Sequence, residues 1–199
     1  MSRKVKVASY RAVPAITVAF LMLCLGAAQE TMLADEYQAQ AMGEGTQVGQ
    51  SFNVTVHINE YSTPEERQAL VDAFNKAGNQ GLFNALSKMK SKGHIAITGT
   101  LGYDISYARQ LPNPNGTTIR VLTNRPVRFG ESWTDSRSSE YDLSGLELDL
   151  SSEKNKSTGV LLPACKFHID KKTGELQIEL TQNPWKLVDV MNRSAKKPE

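Results

Sequence analysis

His57, His94 and His168 are the side chains of this chain with the widest chemical reach. All three fall on the polar parity of alternating stretches, so adjacent strands in the right register would let them converge on one metal ion. No pair stands at the i, i+2 or i, i+4 spacing that would force convergence. They are therefore read as scattered surface imidazoles, and neither a metal nor a cofactor is expected. Glu147 and Asp149 share one strand face, and Glu175, Gln177 and Glu179 share another. Paired carboxylates do acid–base work on sugars when their separation is right. With His57 they would form the polar machinery of a hydrolase, although a solvated sheet face uses the same residues routinely. The chain has no Gly-x-Ser-x-Gly elbow, phosphate loop or dinucleotide fingerprint. Cys165 lies three residues from His168, which on a strand points the two apart. It reads as a buried small hydrophobe.

The stretch with the strongest recognition character runs from Arg125 to Tyr141. It combines Arg125, Arg128, Glu131, Trp133, Asp135, Arg137 and Tyr141 in a polar connection. Arginine and aromatic residues dominate recognition surfaces, and a long loop in a compact domain is often functional. Arg125, Arg128, Trp133, Arg137 and Tyr141 are therefore the candidate ligand- or partner-binding residues.

Compartment is read from the start of the chain. Arg3, Lys4, Lys6 and Arg11 precede an apolar run from Ala15 to Leu25, which ends in Gly26, Ala27 and Ala28. That order describes a signal peptide over residues 1–28 and an exported, periplasmic or extracellular protein. The run falls short of the roughly 20 residues that span a bilayer, so no stable membrane span is expected after cleavage. The chain has 23 Lys plus Arg and 21 Asp plus Glu; four of the cations lie in the signal, which leaves 19 against 21. A nearly neutral mature protein has no broad field for nucleic acid. Only Cys165 survives cleavage, so the fold is held by burial without an internal disulfide.

The elements that would position these residues follow from periodicity. Residues 29–50, rich in Gln, Ala, Gly and Glu, read as a flexible leader. Ser51 to Glu60 alternates as a half-buried strand. Thr63, Pro64 and Glu66 form a capping box for a helix that carries Leu70, Val71, Phe74 and Ala77 and stops at Gly78. A second helix is expected over about 80–92, with Lys88, Lys90 and Lys92 at its C-terminal end and Gly93 as its stop. From there the period is two. Ile95, Ile97, Leu101, Tyr103, Ile105 and Tyr107 share a parity, and Leu161, Cys165, Phe167 and Ile169 share another. Consecutive strands joined by tight turns are antiparallel, and strands with one apolar side need one cover. The expectation is a single α+β domain over residues 51–191: a curved antiparallel sheet of about seven strands with a helix pair packed on one face, in the order β-α-α-β-β-β-β-β-β. Residues 192–199 read as a frayed charged tail.

The element order resembles the helix-grip architecture of lipid-transfer-like domains, without its long C-terminal helix. The stretches His57-Ile-Asn-Glu-Tyr-Ser-Thr-Pro-Glu-Glu-Arg67, Gly99-Thr-Leu-Gly-Tyr-Asp-Ile-Ser-Tyr107 and Asn183-Pro-Trp-Lys-Leu187 resemble a group of exported bacterial proteins with no assigned function. That resemblance spans about Ser51 to Val190 and implies a single exported domain; it transfers no functional residue. Three classes of function remain. The first is a non-enzymatic binding module for a small apolar ligand or an envelope partner. The second is a secreted hydrolase using His57, Glu147 and Asp149. The third is an envelope structural or assembly protein that pairs through a sheet edge.

Overall fold

Asp35, not Ser51, opens the first strand. In the computed structural model, which describes residues 34–125, 127, 143–153, 156–179 and 184–194, β1 (Asp35–Met42) pairs along its whole length with β2 (Ser51–Ile58). Its other edge pairs with β10 (Trp185–Asn192). The stretch expected as a flexible leader thus contains a strand with neighbours on both sides. The expected tail is shortened too: Asn192 belongs to β10, and the Arg193 amide donates to the Glu36 carbonyl at 2.7 Å.

The remaining elements are helix α1 (Pro64–Leu86), then β3 (Gly93–Ile97), β4 (Tyr103–Ile105), β5 (Tyr107–Asn113), β6 (Gly116–Thr123), β7 (Leu143–Ser151), β8 (Thr158–Ile169) and β9 (Leu176–Glu179). The strand order is β4-β3-β2-β1-β10-β8-β7-β6-β5, with β9 paired to β8 off this path, and the pairings are antiparallel. The two ends of the path, β4 and β5, are consecutive pieces of one chain stretch, separated by Ser106. β4 pairs with β3, β5 pairs with β6, and the Ser106 amide donates to the Leu122 carbonyl at 2.9 Å. The sheet therefore curls round to meet itself, which removes the exposed edges of an open sheet. The α+β expectation, with about seven strands and a helix pair on one face, is corrected to a ten-stranded antiparallel sheet in a nearly closed barrel with one helical element.

Two cores replace the expected single one. The inner core gathers alternate residues from around the barrel, including Tyr37, Ala41, Val56, Ile95, Ile105, Leu148 and Trp185. Trp185 is 1% exposed and its ring lies 4.6 Å from that of Phe52. The second core holds Leu70, Leu82 and Leu86 of α1 with Tyr107, Leu122, Leu162 and Phe167. It belongs to the other parity of β5 to β8, because Leu122 lies beside the inward Val121 and Leu162 beside the inward Leu161. The helix thus packs on the outside of the barrel. On the same outer face Gly145 makes room for β9: a Cβ there would come within 2.5 Å of Ile178.

The strand phases also shift. Ile105 joins the inner core, Tyr107 the outer and Ala108 the inner again, so the expected common face of Ile105 and Tyr107 is broken at Ser106. Leu161 is inward while Cys165 and Phe167 are outward, which splits the second expected face. On β10 two residues, Asp189 and Val190, face Ala39 between the pairs Gln38–Met191 and Gln40–Val188. Asp189 takes the positive φ of this bulge, 53°, a conformation that Asp tolerates better than most residues.

The expected capping box is present: Thr63 Oγ1 accepts from the Glu66 amide at 3.2 Å, and Glu66 Oε2 accepts from the Thr63 amide at 2.8 Å. The helix pair is instead one element broken at Ala77 and Gly78, where Gly78 takes φ 57°. The chain resumes helical geometry at once, and the Asn79 side-chain amide exchanges hydrogen bonds with the Phe167 backbone at 2.8 and 3.4 Å. The helix ends at Leu86, so Lys92 does not serve its C-terminus. It is buried, and its Nζ reaches Glu60 at 2.9 Å and Glu66 at 2.7 Å.

Burial pushes the Glu66 carboxyl up, but the Lys92 and Thr63 hydrogen bonds outweigh it, so the net shift is downward. Burial pulls Lys92 down, but its bonds to Glu66 and Glu60 outweigh that, so its net shift is upward. The carboxylate contribution to stability is therefore present above the ordinary Glu range and lost as pH falls through the depressed folded value. The lysine contribution is present below the ordinary Lys range and lost as pH rises through the raised folded value. Lys92→Met will cost about 1–3 kcal/mol at neutral pH, because it leaves two carboxylates facing each other without a cation. Denaturant titrations at several pH values will show that deficit shrinking below the carboxylate range; a deficit independent of pH would contradict the ionic account.

Candidate functional site

The structure brings two of the three histidines together. Glu36, His57, His94 and Asp104 are successive register partners across β1, β2, β3 and β4. His57 Nδ1 lies 3.3 Å from Glu36 and His94 Nδ1 lies 3.8 Å from Asp104. Each imidazole thus stands beside a carboxylate of the next strand. His94 is further fixed by Gly102, where a Cβ would lie 2.2 Å from its Nε2. His168 is exposed on the far part of β8. No group of three or more His, Cys, Asp or Glu side chains suited to a metal occurs among the described residues.

The hydrolase residues are separated. His57 is on β2 and Glu147 on β7, with β1, β10 and β8 between them in the sheet. Glu147 is paired with Arg120, and Asp149 accepts from Thr118 Oγ1 at 2.6 Å. Cys165 is buried, and burial pushes its thiol well above the usual range despite a compensating backbone hydrogen bond at Gly145. A thiol held protonated in an apolar setting is a poor nucleophile.

Of the loop candidates, Arg125 is placed, while Arg128, Trp133, Arg137 and Tyr141 lie outside the described residues. Arg125 anchors the root of that connection. Its guanidinium carbon stands 5.3 Å from the centroid of the Tyr103 ring and its Nη2 donates to the Gly102 carbonyl at 3.4 Å. Its own carbonyl accepts from Thr123 Oγ1 at 2.6 Å and from Ser144 Oγ at 3.0 Å.

That anchor lies at the end of the barrel formed by the β1–β2 and β3–β4 turns, which the Thr98 amide joins through the Asn53 carbonyl at 3.2 Å. The four most exposed large apolar side chains among the described residues are Leu101 at 100%, Val48 at 74%, Met42 at 45% and Met191 at 44%. The first three belong to this end. Leu101 is held on a built turn: the Thr100 amide donates to the Ile97 carbonyl at 3.0 Å, and Thr100 Oγ1 accepts from the Gly102 amide at 3.0 Å. Gly99 and Gly102 supply the positive φ values of 83° and 78° that the turn needs. Sequence reasoning missed Leu101 by counting it in phase with the strand; the Thr-Gly-Thr-Leu-Gly composition was the signal for a turn. Val48 was hidden in the expected leader.

The opposite end is closed by polar side chains. Tyr61 donates to Asp35 at 2.6 Å and accepts from Gln110 at 3.1 Å. Burial first, and the Asp35 hydrogen bond second, push Tyr61 well above the usual phenol range, so it stays a donor. Burial likewise raises the neighbouring Tyr37. This arrangement fixes the start of β1 to the segment after β2.

Compared with protein-family models, curated proteins and solved structures, the chain matches none. No helix among the described residues is long and apolar enough to cross a membrane.

Proposed function

We propose that this chain is an exported, non-enzymatic binding module that docks an envelope partner through the barrel end carrying Val48, Leu101 and Arg125. The observation that carries the reading is Leu101, wholly exposed on a hydrogen-bonded turn, with Val48 and Met42 at the same end. Single exposed aliphatics are ordinary, but three at one end of a barrel make a surface for an apolar partner. A surface partner is favoured over a small enclosed ligand because side chains fill both apolar spaces. Trp185, Tyr37 and Ile105 occupy the barrel interior, and Leu82, Leu86 and Phe167 occupy the helix–sheet space. Export is supported by the basic, apolar and small-residue order of the first 28 residues.

A photo-crosslinking residue at position 101, in cells of the native host, will give an adduct of one defined mass, whereas the same residue at Thr55 on the β2 outer face will not. Leu101→Asp will weaken binding to that partner at least about tenfold, since burying one aliphatic side chain is worth about 1.5–3 kcal/mol. Equal adducts from both positions, or unchanged binding by Leu101→Asp, would count against this surface.

A further inference from the structure

A second cluster stands on the outer face of β5 to β7, on residues independent of the docking end. Arg109, Arg120 and Glu147 are successive register partners across these strands, and Tyr107 lies two residues before Arg109. The Arg67 side chain approaches from α1, and Glu175 approaches just before β9. Arg120 is 9% exposed and donates to Glu147 and to the Leu176 carbonyl. Arg109 Nη2 meets Glu175 Oε1 at 2.9 Å, and Arg67 Nη1 donates to the Gly174 carbonyl at 2.9 Å.

Three features of this cluster point to a ligand. Three guanidiniums meet two carboxylates, so one buried or half-buried positive charge lacks a counterpart within the cluster, and an uncompensated charge is costly. Tyr107, which could supply a negative charge, is held neutral: burial is the largest influence, and its phenol is pushed up to about 12 even with Arg109 and Arg67 nearby. Finally, the Tyr107 hydroxyl, at a residue 1% exposed, has no hydrogen-bond partner among the described residues, and the same holds for the Nε atoms of Arg67 and Arg109. Three donors on three neighbouring residues thus lack a hydrogen-bond acceptor, although Arg67 Nε stands 4.0 Å from Glu175 Oε1. The bond to Glu175 shows which acceptor this pair of arginines takes, a carboxylate oxygen. Arg67 and Arg109 keep 22% and 26% of their side-chain surface exposed, while the three unpartnered atoms themselves are buried beneath it. Tyr107 itself is held in place by the outer core, where it shares the cluster of Leu122 and Phe167.

We infer that Tyr107, Arg67 and Arg109 form a binding site for a small carboxylic acid, with Glu175 as its internal competitor. The test is calorimetric titration of the mature protein with acetate and benzoate, with phosphate and chloride as comparison anions. Benzoate and acetate will both bind more tightly than phosphate or chloride. Tyr107→Phe, which removes only the hydroxyl, will weaken benzoate about tenfold, the scale of one hydrogen bond to a charged acceptor. Glu175→Gln, checked for an unchanged amide NMR spectrum, will tighten benzoate about tenfold by removing the competing charge while keeping the shape. A merely structural ion cluster would show no such gain. Absence of carboxylate binding to both wild type and Glu175→Gln would overturn the inference. So would unchanged affinity in Tyr107→Phe, or phosphate and chloride binding as tightly as benzoate.

Discussion

A chain that begins at Ser51 will not fold. It lacks Asp35–Met42, which pairs with β2 on one edge and β10 on the other and contributes Tyr37, Ala39 and Ala41 to the inner core. Without them both neighbouring strands expose unpaired backbone and the barrel wall opens beside Trp185. The loss is comparable to the whole stability of an ordinary domain, roughly 5–15 kcal/mol. A chain beginning at Met32 will keep a cooperative thermal transition and a dispersed amide spectrum, and the one beginning at Ser51 will show neither. Equal transitions for both would mean that the segment is an appendage.

Trp185→Ala will be the most damaging single substitution of the inner core. Trp185 is among the largest fully buried side chains, and it packs against Phe52 where β10 meets β8. Truncating a buried Trp costs about 3–5 kcal/mol, because a small closed barrel cannot collapse around the space it leaves. In a domain of this size the melting temperature will fall by about 10 °C. Lys186→Ala, the exposed residue next along the strand, will stay within about 0.5 kcal/mol of wild type. Urea denaturation of both proteins checks the contrast; similar losses would mean that Trp185 is not the anchor of the interior.

Much of the strand pattern was legible in residue order. β2 and the strands that carry Glu147 and Gln177 stand where alternation puts them, and Thr63, Pro64 and Glu66 start the helix as their types predict. The architecture was not legible, for a physical reason carried by β5 to β8. Each strand was read as having one apolar face, hence one cover. Yet Val121 and Leu122, or Leu161 and Leu162, are adjacent apolar residues that serve two different cores. Alternation detects a half-buried strand and is blind to one buried on both sides. The corner at Ser106 was equally hidden, because one polar residue resets the phase without any glycine or proline to mark it.

β1 escaped notice because two of its three inward positions, Ala39 and Ala41, are alanines. Alanine has low strand propensity, and such small residues suit the wall of a barrel whose interior already holds Trp185 and Tyr37. Less of the candidate site could be read in advance. Arg125 was singled out for its type and turned out to be an anchor for Tyr103 and Gly102. The pairing of His57 with His94, and of Arg109 with Arg120, depends on register between strands, which no spacing along the chain encodes.

Native-state hydrogen exchange of the β1 amides tests the barrel most directly. A strand enclosed by β2 and β10 predicts that the backbone amides of Tyr37 to Ala41 exchange as slowly as those of Val54 and Val56 on β2. Exchange of the Tyr37 to Ala41 amides at the rate of an unstructured peptide, with β2 still protected, would contradict it.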